Sequence, residues 1–294
     1  MVAYILINLL RPILQRLPVR VSYALAAVVG NLTFAVWVVF AREKAEYVID
    51  NMRRVLGQDT DPRVVKAMAR RSLQNYCKYL ADFLRFPRLG GTEIEQMVRF
   101  TGWEYFDRAL QAGRGVIFIG MHMGNFDLGG AALALRNYPV NVIAETFQPE
   151  RLNRLVQTSR AEKGIRVIPL EQSARRVLSA LRRNEMLALL IDRPSPDGVP
   201  VTFFGYRTSV PGGAALLALK TGAAVIPACV VRQPDNSYLG IVDKEIEFQP
   251  IGNLTQDVQD LTQKIVSSLE SWIQRYPDQW YMFRPMWGEN TCST

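Results

Sequence analysis

Apolar and polar positions change rhythm twice along the chain. From Val21 to Ala41 the run VSYALAAVVGNLTFAVWVVFA holds no charged residue, and its length matches the ~20 residues a helix needs to cross a hydrocarbon core. Before it, Ile5, Leu9, Ile13 and Leu17 recur at helical spacing with basic residues among them, the pattern of a helix lying in a membrane interface. Ser22, Asn31 and Thr33 interrupt the apolar run, so spanning and interfacial placements both stay open. A buried helical hairpin bounded by Pro12 and Pro18 is a third reading. The basic residues follow the first apolar stretch and do not lead it, which is not the form of a cleaved signal peptide.

Between Asp61 and Phe86, Val65, Met68, Leu73, Tyr76, Leu80, Phe83 and Leu84 keep the 3.6-residue period of one helix face, ended by Pro87 and the Gly90-Gly91 pair. The texture then changes to short β-branched runs: VIFIG after Gly115, VNVIAE from Val140, IRVIPL from Ile165, MLALLID from Met186 and AAVIPACVV from Ala223. Amphipathic stretches separate them. Ala174, Val177, Leu178 and Leu181 share one face of such a stretch, as do Val258, Leu261, Ile265, Leu269 and Trp272 of another. Alternating strand and helix signals predict an α/β fold, a mostly parallel central sheet flanked by helices, behind an N-terminal membrane-associated helical segment. The predicted boundaries are residues 1–45 for that segment and 46–294 for one compact catalytic unit, since no linker, repeat or low-complexity tract divides the remainder.

Charge sharpens the picture of the N-terminus. The 294-residue chain carries 35 basic and 27 acidic side chains, a formal net charge of +8, which suits an anionic partner. Arg11, Arg16, Arg20, Arg42, Lys44, Arg53 and Arg54 crowd around the two apolar stretches, pointing to anionic lipid headgroups. No zinc-finger spacing or RNP-like motif accompanies them, so nucleic acid is not the expected partner. Cys77, Cys229 and Cys292 are far apart and lack C-x-x-C pairing, as expected of reduced thiols in a cytoplasmic domain without a metal site.

The candidate chemistry centres on the one histidine. His122 ends the stretch VIFIGMH and precedes GNFDLGG, which opens an Ala- and Leu-rich helix. In an α/β fold such a strand-to-helix turn lies beyond the carboxyl end of a strand, where reactive side chains are exposed. Asp127 follows five positions on, within reach of one imidazole nitrogen, leaving the other as a base worth on the order of 10²- to 10⁴-fold. The same two residues also suit a plain helix start, with Asp127 favouring the positive end of the macrodipole.

His122 and Asp127 resemble the H-x4-D motif of glycerolipid acyltransferases, and the likeness is closer to the bacterial lipid A lauroyl/myristoyl acyltransferases and their phosphatidylinositol mannoside acyltransferase relatives. Further stretches stand in the same order: Arg160 and Gly164 before IRVIPL, IDRPSPDGVPVTFFG from Ile191, SVPGGAALLALKTGAAVIPA from Ser209, and YPDQWYMFRPMW from Tyr276. They cover most of the chain from about residue 40 to Trp287.

The resemblance implies a thioester donor, acyl-CoA or acyl carrier protein, an amphipathic lipid or glycolipid acceptor, no metal or other cofactor, and an active site at the inner membrane facing the cytoplasm. His122 and Asp127 become the catalytic pair, with Asp192 of LLIDRP resembling a second acid that orients the histidine in the mannoside branch, so that either acid can be its main partner. Asn125, Arg160, Arg193, Arg207 and Gly212 are the expected substrate-binding positions. The arginines are suited to phosphate or developing charge, and Arg193 equally to a structural pairing with Asp192. Gly212 and Gly213 open either an anion-facing helix or a plain one. Trp280, Tyr281, Phe283 and Trp287 fit an acyl channel or core packing against the sheet. Asp127 stands where the lipid A enzymes usually carry Glu, and MFRPMW is less basic than their terminal segment, which points to an acceptor other than lipid A.

Other classes fit less well. No serine lies in G-x-S-x-G, and neither the dinucleotide G-x-G-x-x-G nor the P-loop pattern occurs. A non-catalytic lipid-binding protein would use the same basic, apolar N-terminus, but it gives His122 and Asp127 no reason for their spacing.

Overall fold

The computed structural model describes residues 2–144, 146–170 and 173–288. Glu145, Cys292 and the Ile5 side chain lie outside that description. Helices come first: α1 (Val2–Leu14), α2 (Val19–Phe40), α3 (Arg42–Leu56) and α4 (Pro62–Arg85). Helix α4 begins where Pro62 takes the first helical position, whose N–H needs no partner, and the Asp61 carboxylate accepts from the Arg63 N–H.

Alternation follows, with α5 (Gly91–Met97), β1 (Val98–Thr101), α6 (Trp103–Gln111), β2 (Val116–Gly120), α7 (Phe126–Leu135), β3 (Val140–Ala144), α8 (Glu150–Ala161), β4 (Arg166–Pro169), α9 (Ser173–Arg182) and β5 (Met186–Leu190). A hairpin of β6 (Val199–Phe203) and β7 (Tyr206–Val210) leads to α10 (Gly213–Thr221), β8 (Ala224–Arg232), β9 (Tyr238–Val242) and α11 (Leu254–Arg275).

The main sheet runs β1-β9-β8-β2-β5-β3-β4, and its pairs are parallel except β8 with β9. The five β-branched runs of the sequence form β2, β3, β4, β5 and β8. Strands β1 and β9 and the separate hairpin β6–β7 were not expected, because their short segments mix polar with apolar residues (VRFT, YRTSV) or carry a glycine (YLGIV).

Central β2 is buried at every position, as a strand covered on both faces must be. Ile117 and Ile119 join the cluster under α9, α10 and α11, while Val116 and Phe118 join the cluster under α6 and α7.

Helix α2 is not an isolated apolar rod. One face, Ser22, Tyr23, Ala26, Gly30 and Phe34, is buried and runs antiparallel along α4. Tyr23 reaches Asp82 near the C-terminal end of α4, Asn31 bonds Gln74 in its middle, and Phe34 shares a cluster with Val65, Ala69 and Leu73 nearer its start. At Gly30 the backbones nearly touch: a Cβ there would lie 2.6 Å from the Gln74 Cα, so no larger residue fits without parting the helices. The other face leaves Leu25, Val28, Val29, Leu32, Val36, Val39 and Phe40 exposed.

Candidate active site

The register of β2 with β5 builds the centre of the site. Gly120 at the end of β2 pairs with Leu190 at the end of β5, so His122 and Asp192, each two residues further on, emerge side by side from neighbouring parallel strands. The His122 Nδ1 lies 2.7 Å from Asp192 Oδ1. Asp192 Oδ2 accepts from the His122 backbone N–H at 2.9 Å and from the Trp280 indole N–H at 2.9 Å.

The carboxylate is thus clamped from three directions, with 1% of its side chain exposed against 19% for the imidazole. Burial raises the Asp192 carboxyl, but the imidazole and the three hydrogen bonds outweigh it and the net shift is downward. An ionised Asp192 fixes the ring with Nδ1–H as donor and leaves the lone pair on Nε2.

The turn that carries His122 is itself held on both sides. Gly124 takes a left-handed backbone (φ 59°) so close to β8 that a Cβ would stand 1.8 Å from the Val230 carbonyl oxygen, a position only glycine can fill. Asn125 N–H donates to that same carbonyl. From the other side Gly124 N–H donates to Gln279 O, and Tyr281 N–H donates to His122 O at 2.8 Å. The Tyr281 hydroxyl completes the bridge to Gly124 O at 3.0 Å. Trp280 is fully buried and Tyr281 nearly so, so the aromatic segment near the C-terminus is core packing that also buttresses the turn.

Asp127 is turned elsewhere. Phe126, the first residue of α7, meets the His122 ring edge-on at 5.8 Å, and the next helical position points about 100° away. There Asp127 accepts from Arg160 of α8, Nε to Oδ1 at 2.7 Å, and from the Tyr79 hydroxyl at 2.7 Å. Of the two acids the sequence offered as the imidazole's partner, Asp192 is the one in contact with it, because the helix rotates residue 127 toward α8. Burial foremost, then the Asp127 charge, drives the Tyr79 hydroxyl well above its ordinary range. For Arg160 burial works downward, but Asp127 overrides it and the guanidinium is held more firmly protonated than usual.

The remaining expected positions divide. Asn125 is buried beside the turn, where its side-chain oxygen caps α7 by accepting from Leu128 N–H at 3.0 Å and its amide donates toward Asp82 and Tyr238. Arg193 follows Asp192 directly, half-buried, with its charge felt at the Tyr76 hydroxyl. Arg207 is exposed on β7, paired with Thr202 across the hairpin. Gly212 precedes α10, packed against Val199 and Val258. No described hydrogen bond or ion pair joins Arg207 or Gly212 to the His122 cluster. Among the described residues no three His, Cys, Asp or Glu side chains converge as a metal site.

Sequence reasoning missed Trp280 as a donor to Asp192. It also missed the buried Asp82–Arg232 pair behind the turn, 150 residues apart along the chain, for which no local pattern exists.

The family model for bacterial lipid A biosynthesis acyltransferase matches residues 1–289. The chain belongs to that family. Among curated relatives, the phosphatidylinositol mannoside acyltransferase of Mycobacterium tuberculosis is 31% identical over 84% of this chain and 79% of its own length. That of Mycolicibacterium smegmatis is 29% identical over 81% of this chain and 77% of its own. A lipid A biosynthesis acyltransferase of Haemophilus influenzae is 23% identical over 64% and 58% respectively. This lipid A family member is accordingly an acyltransferase of glycolipid biosynthesis, and the mostly parallel, helix-flanked sheet is the scaffold on which its site is built.

Proposed function

We propose that the chain transfers a fatty acyl group from a thioester donor to a hydroxyl of a glycolipid at a membrane surface, with His122 as base and Asp192 as its orienting acid. The observation that carries this reading is the 2.7 Å contact between His122 Nδ1 and the buried Asp192 Oδ1, on a ring that itself stays 19% exposed. In the reaction Nε2 takes the proton of the acceptor hydroxyl as its oxygen attacks the thioester carbonyl carbon. The tetrahedral intermediate collapses, the carbon–sulfur bond breaks, and the imidazolium returns its proton to the departing thiolate. Asp192 stabilises the imidazolium and keeps its orientation. Arg160, held by Asp127, and Arg193, next to Asp192, are the arginines suited to a polar headgroup or a phosphate-bearing donor.

A mannoside-like glycolipid acceptor is favoured by the relatives near 30% identity, all named phosphatidylinositol mannoside acyltransferases, and by Asp127 in place of the Glu usual in lipid A enzymes. The donor is acyl-CoA or acyl carrier protein.

The membrane is met through α2, the one described helix long and apolar enough to cross a bilayer. Its pairing with α4, which carries exposed Arg63, Lys66, Arg70 and Arg71, favours a helix seated in one leaflet, because crossing would draw those cations toward hydrocarbon. Arg16, Arg20, Arg42 and Lys44 are exposed around its ends and suit the anionic, cytoplasmic face of the inner membrane.

The test uses full-length protein in detergent, radiolabelled palmitoyl-CoA or acyl carrier protein, and either a phosphatidylinositol mannoside or a lipid A precursor. Wild type should label the mannoside and His122→Ala should lose the activity; equal labelling by both proteins would refute the assigned base. Charging the outer face with Val28→Glu, Leu32→Glu and Val36→Glu together should abolish flotation with anionic vesicles.

A further inference from the structure

Behind the His122 turn, residues from five separate elements meet in a buried polar cluster. Asp82 of α4 accepts from the Tyr23 hydroxyl of α2 at 2.6 Å on one oxygen. Its other oxygen takes Arg232 Nη2 from β8, the Tyr238 hydroxyl from β9 and, at 3.3 Å, the Asn125 amide. The Arg232 guanidinium lies between the Tyr23 and Tyr238 rings, 4.4 and 4.7 Å from their centroids. Exposure is 4% for Tyr23, 3% for Asp82 and Asn125, 8% for Arg232 and 1% for Tyr238, so solvent does not screen the interactions.

This cluster reaches the His122 turn by two routes. Asn125 is the last residue of the turn and caps α7. The Arg232 backbone is gripped at both N–H and carbonyl by the Gln279 side chain, at 2.7 and 2.8 Å, and the Gln279 carbonyl receives Gly124 N–H. At the opposite end the cluster reaches α2, the helix whose outer face is apolar and exposed. A buried ion pair is poor value for stability alone, since apolar replacements of equal volume often stabilise as well or better, and its best-attested use is to fix one arrangement among several.

We propose that Asp82, with Tyr23 and Arg232, is a positioning device that ties the seating of α2 to the orientation of His122, so that disturbing the lipid-facing helix disturbs the imidazole. The proposal rests on His122 being the base, but its principal test does not require turnover. His122 is the chain's one histidine, so 13Cε1 and 15N labelling of histidine gives a single imidazole signal from intact protein in detergent micelles, reporting tautomer and environment.

Tyr23→Phe removes one hydroxyl and keeps the ring under Arg232. Asn31→Ala and Gln74→Ala cut another α2–α4 hydrogen bond, which lies outside the cluster, and serve as the control. With thermal midpoints matched, Tyr23→Phe and Asp82→Asn should move the His122 signal and lower kcat ~10-fold to ~100-fold with KM little changed; the control pair should do neither. A His122 signal in Tyr23→Phe superimposable on wild type overturns the device, as does an equal displacement in the control, which would mean only that α2 packing had loosened. A displaced signal without any measurable transfer would sustain the positioning role while removing the acyltransfer reading of the site.

Discussion

Asp192 and Asp127 are both almost excluded from solvent at the same end of the sheet, yet one faces an imidazole and the other a guanidinium. An imidazole gains and loses its proton near neutral pH, whereas a guanidinium stays charged at any pH a protein survives. The first pair is therefore suited to moving a proton and the second to holding a position. Both acids also take a neutral donor, the Trp280 indole on Asp192 and the Tyr79 hydroxyl on Asp127. What separates them is the cation, and with it the kind of damage each loss should cause.

The largest contrast is expected from Asp192→Asn. An amide cannot stabilise the imidazolium, and kcat should fall ~10²- to ~10⁴-fold, or about 3 to 5 kcal/mol in the barrier, with modest loss of stability. Steady-state kinetics beside urea unfolding separates the two quantities. Asp127→Ala should show the reverse balance: it strands the Arg160 cation and costs about 3 to 5 kcal/mol in unfolding free energy, while the folded fraction keeps more of its kcat than Asp192→Asn does. If Asp127→Ala proved the worse catalyst per folded molecule, the assignment of roles would have to be exchanged.

Smaller is the effect of Tyr79→Phe, which removes one hydrogen bond to a charged acceptor and should cost about 1.5 to 3 kcal/mol by urea unfolding without altering the tautomer of His122. Smallest is a pH effect. Because the Asp192 carboxyl is depressed in the folded chain, its contribution is complete above its unfolded value near 3.9 and is lost as pH falls through the lower folded value. Thermal unfolding of wild type should lose stability below about pH 4 more steeply than that of Asp192→Asn.

How much of this was legible in the sequence depends on how local each cause was. Strand β2 announces itself because both its faces are buried and nearly every residue is apolar, and α4 because one face is. Strand β9 is hidden by its five short residues and a mid-strand glycine that makes room for the Phe100 ring. The apolar character of α2 was plain, but which face α4 would cover was not, since apolar residues occur on all sides and only Gly30 marks the contact.

At the site, His122 was singled out by its position between a strand and a helix. Its partner was readable only as a likeness at Asp192, because what joins them is a strand register, and a register is a property of two segments together. The spacing of Asp127 suggested a hydrogen bond to the ring, but its carboxylate bonds Arg160 and Tyr79, since direction does not follow from spacing once Phe126 takes the side facing the ring. Arg160 and Asp127 were each conspicuous, but no rule of sequence joins residues 33 positions apart across two helices.

The closing of the His122 turn by Gln279, Trp280 and Tyr281 has a consequence in time. Chains are made from the N-terminus and fold as they emerge, so α2 is made well before Gln279, Trp280 and Tyr281, the bridge that steadies the histidine. A ribosome-bound chain stopped before residue 279 would carry α2 and His122 but still lack a finished site.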